Sequence, residues 1–286
     1  MKHPDSPVSL SFKVWPQDID WVELRDIWTA ADVAGVYTGG WLNDHFYPPR
    51  PGQRGALFES WTLLASLAAV TERLRLGTMV TSNTFRHPSL LAKMAITIDQ
   101  VSAGRLDIGL GAGWHQEEHT AFGIEFPSAA VRWGRLDETC AILDGLMTKD
   151  VFSFAGSHFT LVDAEPRLRP VQQPRPPIVI GGIGPRRTLP LVAKWADHWN
   201  WYERGATADD FAARLSMLHA QCDAIGRDRD AIEVSAIVLH DGDVAETIEG
   251  ALGLVAAGAE HIQLSFRTPV DPNAVAECGE RLAAQL

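Results

Sequence analysis

Short apolar runs alternate with longer stretches of helical periodicity along nearly the whole chain. Residues 9–15 (SLSFKVW) form a β-rich run, and residues 20–34 carry apolar side chains at helical spacing. Gly35 opens a second run over 36–42, which ends in a polar cluster. The pattern then predicts a helix over 58–71 and a third strand over 74–80. Pro88 stands where a first helical turn tolerates it, and helical spacing continues to Val101. A turn at 102–104 leads into a fourth strand over 106–110. A longer insert follows: an amphipathic helix over 132–147, a hairpin over 152–161 about Gly156, and an irregular proline-rich segment over 165–177. The fifth strand, 178–180, ends at Gly181-Gly182 and feeds a helix over 186–195. Strands over 199–202, 232–239 and 261–266 then alternate with helices over 209–225, 244–257 and 272–286.

Eight strand-then-helix units call for a parallel sheet covered by helices. Eight is also the number that closes a (β/α)₈ barrel. The expected fold is therefore α/β: a TIM barrel in a single domain, 1–286, with an insert between strands four and five. A doubly wound open sheet is the alternative, because the pattern does not show closure.

Composition narrows the function. A chain of 286 residues, 46% of them hydrophobic, buries enough surface to fold without a disulfide or metal. Its formal net charge of −11 argues against a nucleic-acid binder, which needs a broad basic face, but leaves room for a small anionic ligand. Cys140, Cys222 and Cys278 lie far apart, so neither a disulfide framework nor a cysteine zinc site is expected. Residues 1–8 contain no signal-peptide-like apolar run, and no uncharged apolar stretch of about twenty residues suggests a membrane span. The expectation is a cytoplasmic enzyme acting on a small molecule.

In such a barrel, chemistry lives on the loops that follow the strands. The exits here carry Asn43-Asp44-His45-Phe46, then 79–84 (MVTSNT), 109–115 (GLGAGWH), 181–184 (GGIG) and 200–202 (NWY). Polar side chains, glycines and tryptophans gather at one end, which suits a flat aromatic ligand with polar edges and a phosphate. His45 can exchange a proton near neutral pH, with Asp44 beside it in sequence. Gly109, Gly111 and Gly113 either let backbone approach a ligand or clear the packing between strand and helix. The turn 181–184 enters a helix with Arg186 and Arg187 nearby, and its N–H groups can hold a phosphate.

Other patterns fail. Position 114 is Trp where the dinucleotide fingerprint needs Gly, and neither a P-loop nor a hydrolase elbow occurs. Residues 115–119 (HQEEH) match H-x-x-E-H, which sets two histidines a helical turn apart and can chelate zinc. They read equally as a solvated first turn whose carboxylates suit the helix dipole. No metal is expected.

In this order and spacing, Asn43 to Phe46, 71–81 (TERLRLGTMVT), 87–93 (HPSLLAK), 99–106 (DQVSAGRL), 109–114 (GLGAGW) and 121–123 (AFG) carry a family likeness. The chain resembles the luciferase-like monooxygenase superfamily, in particular its deazaflavin (coenzyme F420)-dependent oxidoreductases. That resemblance implies a (β/α)₈ barrel and a non-proline cis peptide at Met79-Val80 under the flavin ring. It places Asp44 and His45 beside the ring, with His45 as the proton partner. Thr81 and Ser82 would contact the ring edge or ribityl chain. Gly111, Ala112 and Gly113 would border the cofactor, and Gly181, Gly182, Ile183 and Gly184 would receive its phosphate. Trp114 and Trp201 would shape the substrate side.

One departure is informative. Relatives that oxidise sugar phosphates carry a Glu directly after the glycine-rich exit, where this chain has Trp114, and Glu117 comes three residues later. An apolar, aromatic or enone-like substrate is expected instead. The leading expectation is F420-dependent hydride transfer to or from a small organic substrate. An FMN-dependent monooxygenase is the first alternative, and a non-catalytic flavin-binding protein the second. The family also implies a homodimer.

Overall fold

A computed structural model of the protein describes residues 8–48 and 55–286, so residues 1–7, read above for a leader, fall outside it. Strand β1 (Ser9–Val14) leads to helix α1 (Trp21–Ala34). Asp20 caps α1 by accepting the Glu23 N–H, and Gly35 ends it in left-handed backbone at φ 77°. Next come β2 (Gly39–Leu42), α2 (Ser60–Val70) and β3 (Arg75–Thr78). The run breaks at Met79-Val80, whose peptide bond is cis as the resemblance implies, and resumes as the two-residue β4 (Thr81–Ser82). Helix α3 (Pro88–Val101) starts on its proline and leads to β5 (Leu106–Gly111).

The insert holds α4 (Gln116–Ala121), α5 (Ala129–Thr148) and an antiparallel hairpin of β6 (Phe152–Ala155) and β7 (Thr160–Ala164). The barrel continues with β8 (Ile178–Gly181), α6 (Thr188–Trp195), β9 (His198–Trp201) and α7 (Ala208–Ile225). It ends with β10 (Glu233–Leu239), α8 (Val244–Ala256), β11 (His261–Phe266) and α9 (Pro272–Ala283).

Neighbouring barrel strands pair in parallel in the order β3-β2-β1-β11-β10-β9-β8-β5-β4, and β3 also pairs with β5. That last pairing closes the sheet. With β3 and β4 as two halves of one strand, the barrel has eight strands, and the open-sheet alternative falls away.

Alternation along the strands divides two environments. Leu10, Phe12 and Val14 of β1 join the hydrophobic layer between barrel and helices, whereas Ser11 and Lys13 turn into the lumen. Strand β11 repeats this, with Ile262, Leu264 and Phe266 outside and His261 hydrogen-bonded to Ser11 within. The lumen is therefore unusually polar for a barrel, where branched apolar side chains are the rule.

Candidate active site

The loop after β2 carries Asp44 and His45, whose side chains find different partners. Asp44 is buried and takes Arg86 in a forked pair at 2.7 and 3.0 Å; Arg86 also bonds Glu59. Burial pushes the Asp44 carboxyl above its ordinary range while the Arg86 charge pulls against it. His45 Nδ1 instead lies 2.9 Å from Glu118 Oε1, and the Phe46 N–H donates to Glu118 Oε2 at 2.9 Å. The carboxylate on His45 is thus Glu118, from the first turn of α4, and not its sequence neighbour Asp44. Desolvation would raise the Glu118 pKa, but the His45 hydrogen bond and charge, with the Phe46 N–H, hold it below the usual carboxylate range.

Trp114 stands beside this pair. Its ring lies edge-on to His45 at 5.8 Å and stacks on His115 at 5.1 Å, and it remains 62% exposed. Of the H-x-x-E-H residues, His115 and Glu118 come together but His119 does not join them. His119 is bonded through Nε2 to Thr84 Oγ1 at 2.6 Å and through Nδ1 to the His115 carbonyl at 2.7 Å. His45, His115 and Glu118 do bring ligand atoms within 4.8 Å of one another, with the Glu118 carboxylate already engaged by His45 and Phe46.

Inside the mouth, Met79 and Val80 pack with Trp41, Val179, Ile237 and Leu239 into a small apolar cluster. Glycines enclose Val80: a Cβ on Gly111 would stand 2.6 Å from Val80 Cγ2, and one on Gly181 would stand 3.0 Å from Val80 Cγ1. Ala112, between Gly111 and Gly113, is partly buried against the main core. Gly113 has φ 78°, a left-handed backbone that glycine adopts without cost. Lys13 Nζ donates to the Met79 carbonyl at 3.1 Å, and burial lowers its pKa to about 7.

The side chains of Thr81, Ser82 and Trp201 find partners within the protein. Thr81 Oγ1 accepts from Trp61 Nε1 of α2 at 2.8 Å and lies 2.7 Å from Thr78 Oγ1. Its side chain therefore faces the helix layer, leaving only its backbone for a ligand. Ser82 Oγ pairs with Thr84 Oγ1 at 2.6 Å. Trp201 is 2% exposed and packs edge-on against Phe211 of α7 at 5.3 Å, so its ring sits between barrel and helix. Alternation along β9 carries the signal that would have found this, since His198 and Asn200 bond Ser235 on the lumen side and the two tryptophans take the other face.

Beyond β8 the loop 181–184 runs into α6. Gly182 has φ 120° and donates its N–H to the Asn200 carbonyl at 3.1 Å. Helix α6 begins without a side-chain cap, and Arg186 and Arg187 lie exposed beside it. The Gly184 carbonyl already accepts the N–H groups of Thr188 at 2.9 Å and Leu189 at 3.1 Å, so the two guanidinium groups are the donors this turn offers an anion. An apolar floor, a glycine cradle and two exposed guanidinium groups on one rim suit a planar ring with an anionic tail.

A closed barrel with its polar and glycine-rich residues gathered at the exit loops belongs to the class of (β/α)₈ proteins that do their chemistry at that face. The chain belongs to the luciferase-like monooxygenase family, whose profile matches residues 6–273. It is 34% identical over 158 residues to an F420-dependent glucose-6-phosphate dehydrogenase of Amycolatopsis mediterranei, covering 54% of this chain and 45% of that protein. It is 32% identical over 231 residues to the pyrimidine monooxygenase RutA of Stutzerimonas stutzeri, covering 79% of this chain and 59% of that one. The chain spans about half the length of these curated relatives. Among solved structures, an F420-dependent secondary alcohol dehydrogenase in complex with an F420-acetone adduct shares the fold, with a TM-score of 0.83 at 18% identity over 96% of this chain and 97% of that one. No helix among the described residues is long and apolar enough to cross a membrane.

Proposed function

We propose that the protein is an F420-dependent oxidoreductase that moves a hydride between the deazaflavin and a small organic substrate. The carrying observation is the His45–Glu118 pair at 2.9 Å, because hydride transfer to or from a carbon–oxygen bond needs a proton at the oxygen. An ionised carboxylate only accepts, so Glu118 fixes a proton on His45 Nδ1 and leaves Nε2 to take or return the substrate's proton. Trp114 lines the substrate side with an apolar face, which favours an aromatic or enone-like substrate over a sugar phosphate. The bound deazaflavin supplies the redox chemistry. Met79 and Val80 back its ring, Gly111 to Gly113 border it, and 181–184 with Arg186 and Arg187 take its phosphate. On this reading the protein is a cytoplasmic homodimer, which gel filtration with light scattering tests.

FMN-dependent monooxygenation is the second reading, favoured by the RutA match, which covers 79% of this chain against 54% for the dehydrogenase. Fluorescence titration with F420 and with FMN separates the two. Saturable F420 quenching with weak FMN binding is expected; tight FMN binding without F420 binding overturns the first reading. His45→Ala should lower kcat roughly 10²–10⁴-fold with little change in cofactor Kd. An unchanged kcat removes His45 from the chemistry.

A further inference from the structure

The opposite, N-terminal mouth of the barrel holds a second polar cluster that the candidate active site does not use. His198 begins β9, Glu233 begins β10 and His261 begins β11, on three successive strands. Register sets Glu233 beside His198, and His261 beside Ser235, two residues further along the same face of β10. Their potential ligand atoms all lie within 4.8 Å of one another. They border a cavity of about 290 Å³ together with Arg75, Asp107 and Gln172.

The hydrogen bonds around the histidines assign their nitrogens. Ser235 Oγ donates to the Trp199 carbonyl at 3.2 Å and accepts from Asn200 Nδ2 at 2.8 Å. With its one proton committed, Ser235 must also accept from His198 Nε2, 2.6 Å away. His198 Nδ1 therefore keeps its lone pair. His261 faces Glu233 Oε1 through Nδ1 at 3.0 Å and Ser11 Oγ through Nε2 at 2.7 Å. When a cation replaces the proton between His261 Nδ1 and Glu233, the ring can carry its proton on Nε2, with Ser11 as acceptor. Each imidazole thus has a serine behind it, the arrangement that orients metal-bound histidines.

Charge favours a cation as well. Asp107 holds Arg75 in a forked pair at 2.9 and 2.5 Å, which cancels that guanidinium. The Glu233 carboxylate and the two imidazoles remain to face the cavity.

We propose that His198, Glu233 and His261 form a site for one divalent transition-metal ion at the N-terminal mouth of the barrel. Two imidazole nitrogens and a carboxylate oxygen select a borderline ion such as Zn²⁺ over Mg²⁺ or Ca²⁺. With metal–ligand bonds of about 2.1 Å the ligands stand roughly 3.4 Å apart. Rotamer movements of about an ångström close the set, and the fourth position opens on the cavity. The ion ties β9, β10 and β11 together at their first residues, far along each strand from the His45 end.

The test is Zn²⁺ titration by calorimetry of the full-length protein after chelator dialysis, repeated with Co²⁺ in the visible spectrum. One ion per chain is expected, with d–d bands of nitrogen and oxygen ligation. Glu233→Gln should weaken binding at least tenfold, while His115→Ala, at the opposite mouth, should leave it within twofold. Should Glu233→Gln not fold, the wild-type melting temperature decides, rising with Zn²⁺ and falling back with chelator. Absence of stoichiometric binding, no thermal shift, or binding that His115→Ala removes and Glu233→Gln spares overturns the proposal.

Discussion

Lys13 enters the lumen from β1 with its ammonium on the Met79 carbonyl, and burial brings its pKa down to about 7. An unfolded lysine titrates near 10.4. Between those values the unfolded chain binds the extra proton, so the Lys13 contribution to stability rises as pH goes from about 7 to 10. Below pH 7 both states are charged, and the folded one carries the cost of a buried ammonium. Lys13→Met should therefore be more stable than wild type at pH 6.5, with the gap closing by about pH 10. Urea unfolding of both proteins across that range checks it, and two curves that stay parallel would remove Lys13 as the titrating group.

Element geometry makes Gly111 an exacting position of the cradle. Strand β5 is held by parallel pairing to β4 and β8, so a side chain at Gly111 cannot be relieved by moving the strand. Gly111→Ala would place Cβ 2.6 Å from Val80 Cγ2 and displace Val80. Overpacking of this kind costs about 1–3 kcal/mol. The expected result is a folded protein whose cofactor Kd rises tenfold or more, with partial recovery in Gly111→Ala/Val80→Ala. Unchanged affinity in the single variant would mean that Val80 does not back the ligand.

The same elements show what the sequence made legible. Helix starts and stops are local chemistry, so Asp20, Gly35 and Pro88 marked α1 and α3 nearly to the residue. Strand existence was equally plain, because each run is short, apolar and bounded by turn residues. Which face of β9 meets the lumen was harder to read, since both faces of a barrel strand are buried and Trp199 and Trp201 look like ligand-stacking residues at a strand end. The Glu118 partner of His45 had no local signature at all. The two are 73 residues apart, and only closure of the barrel with its α4 turn brings them together.

At the scale of the molecule, the net charge of −11 opposes approach of a polyanion such as F420, while on the proposed function Arg186 and Arg187 attract it at the start of α6. The two effects differ in range. Bulk repulsion acts over the Debye length, about 30 Å at 0.01 M salt and about 10 Å at 0.1 M, whereas the arginines act at contact. Removing them leaves only the long-range term, whose screening speeds encounter. Association of F420 with Arg186→Gln/Arg187→Gln should therefore accelerate as salt rises from 0.01 to 0.1 M, and its Kd should exceed that of wild type at both. In the wild type the local attraction is screened too, so its rate should rise less or fall. Stopped-flow quenching of F420 fluorescence measures both rates. A double variant that slows with salt would place the controlling positive charge elsewhere on the rim, and the phosphate with it.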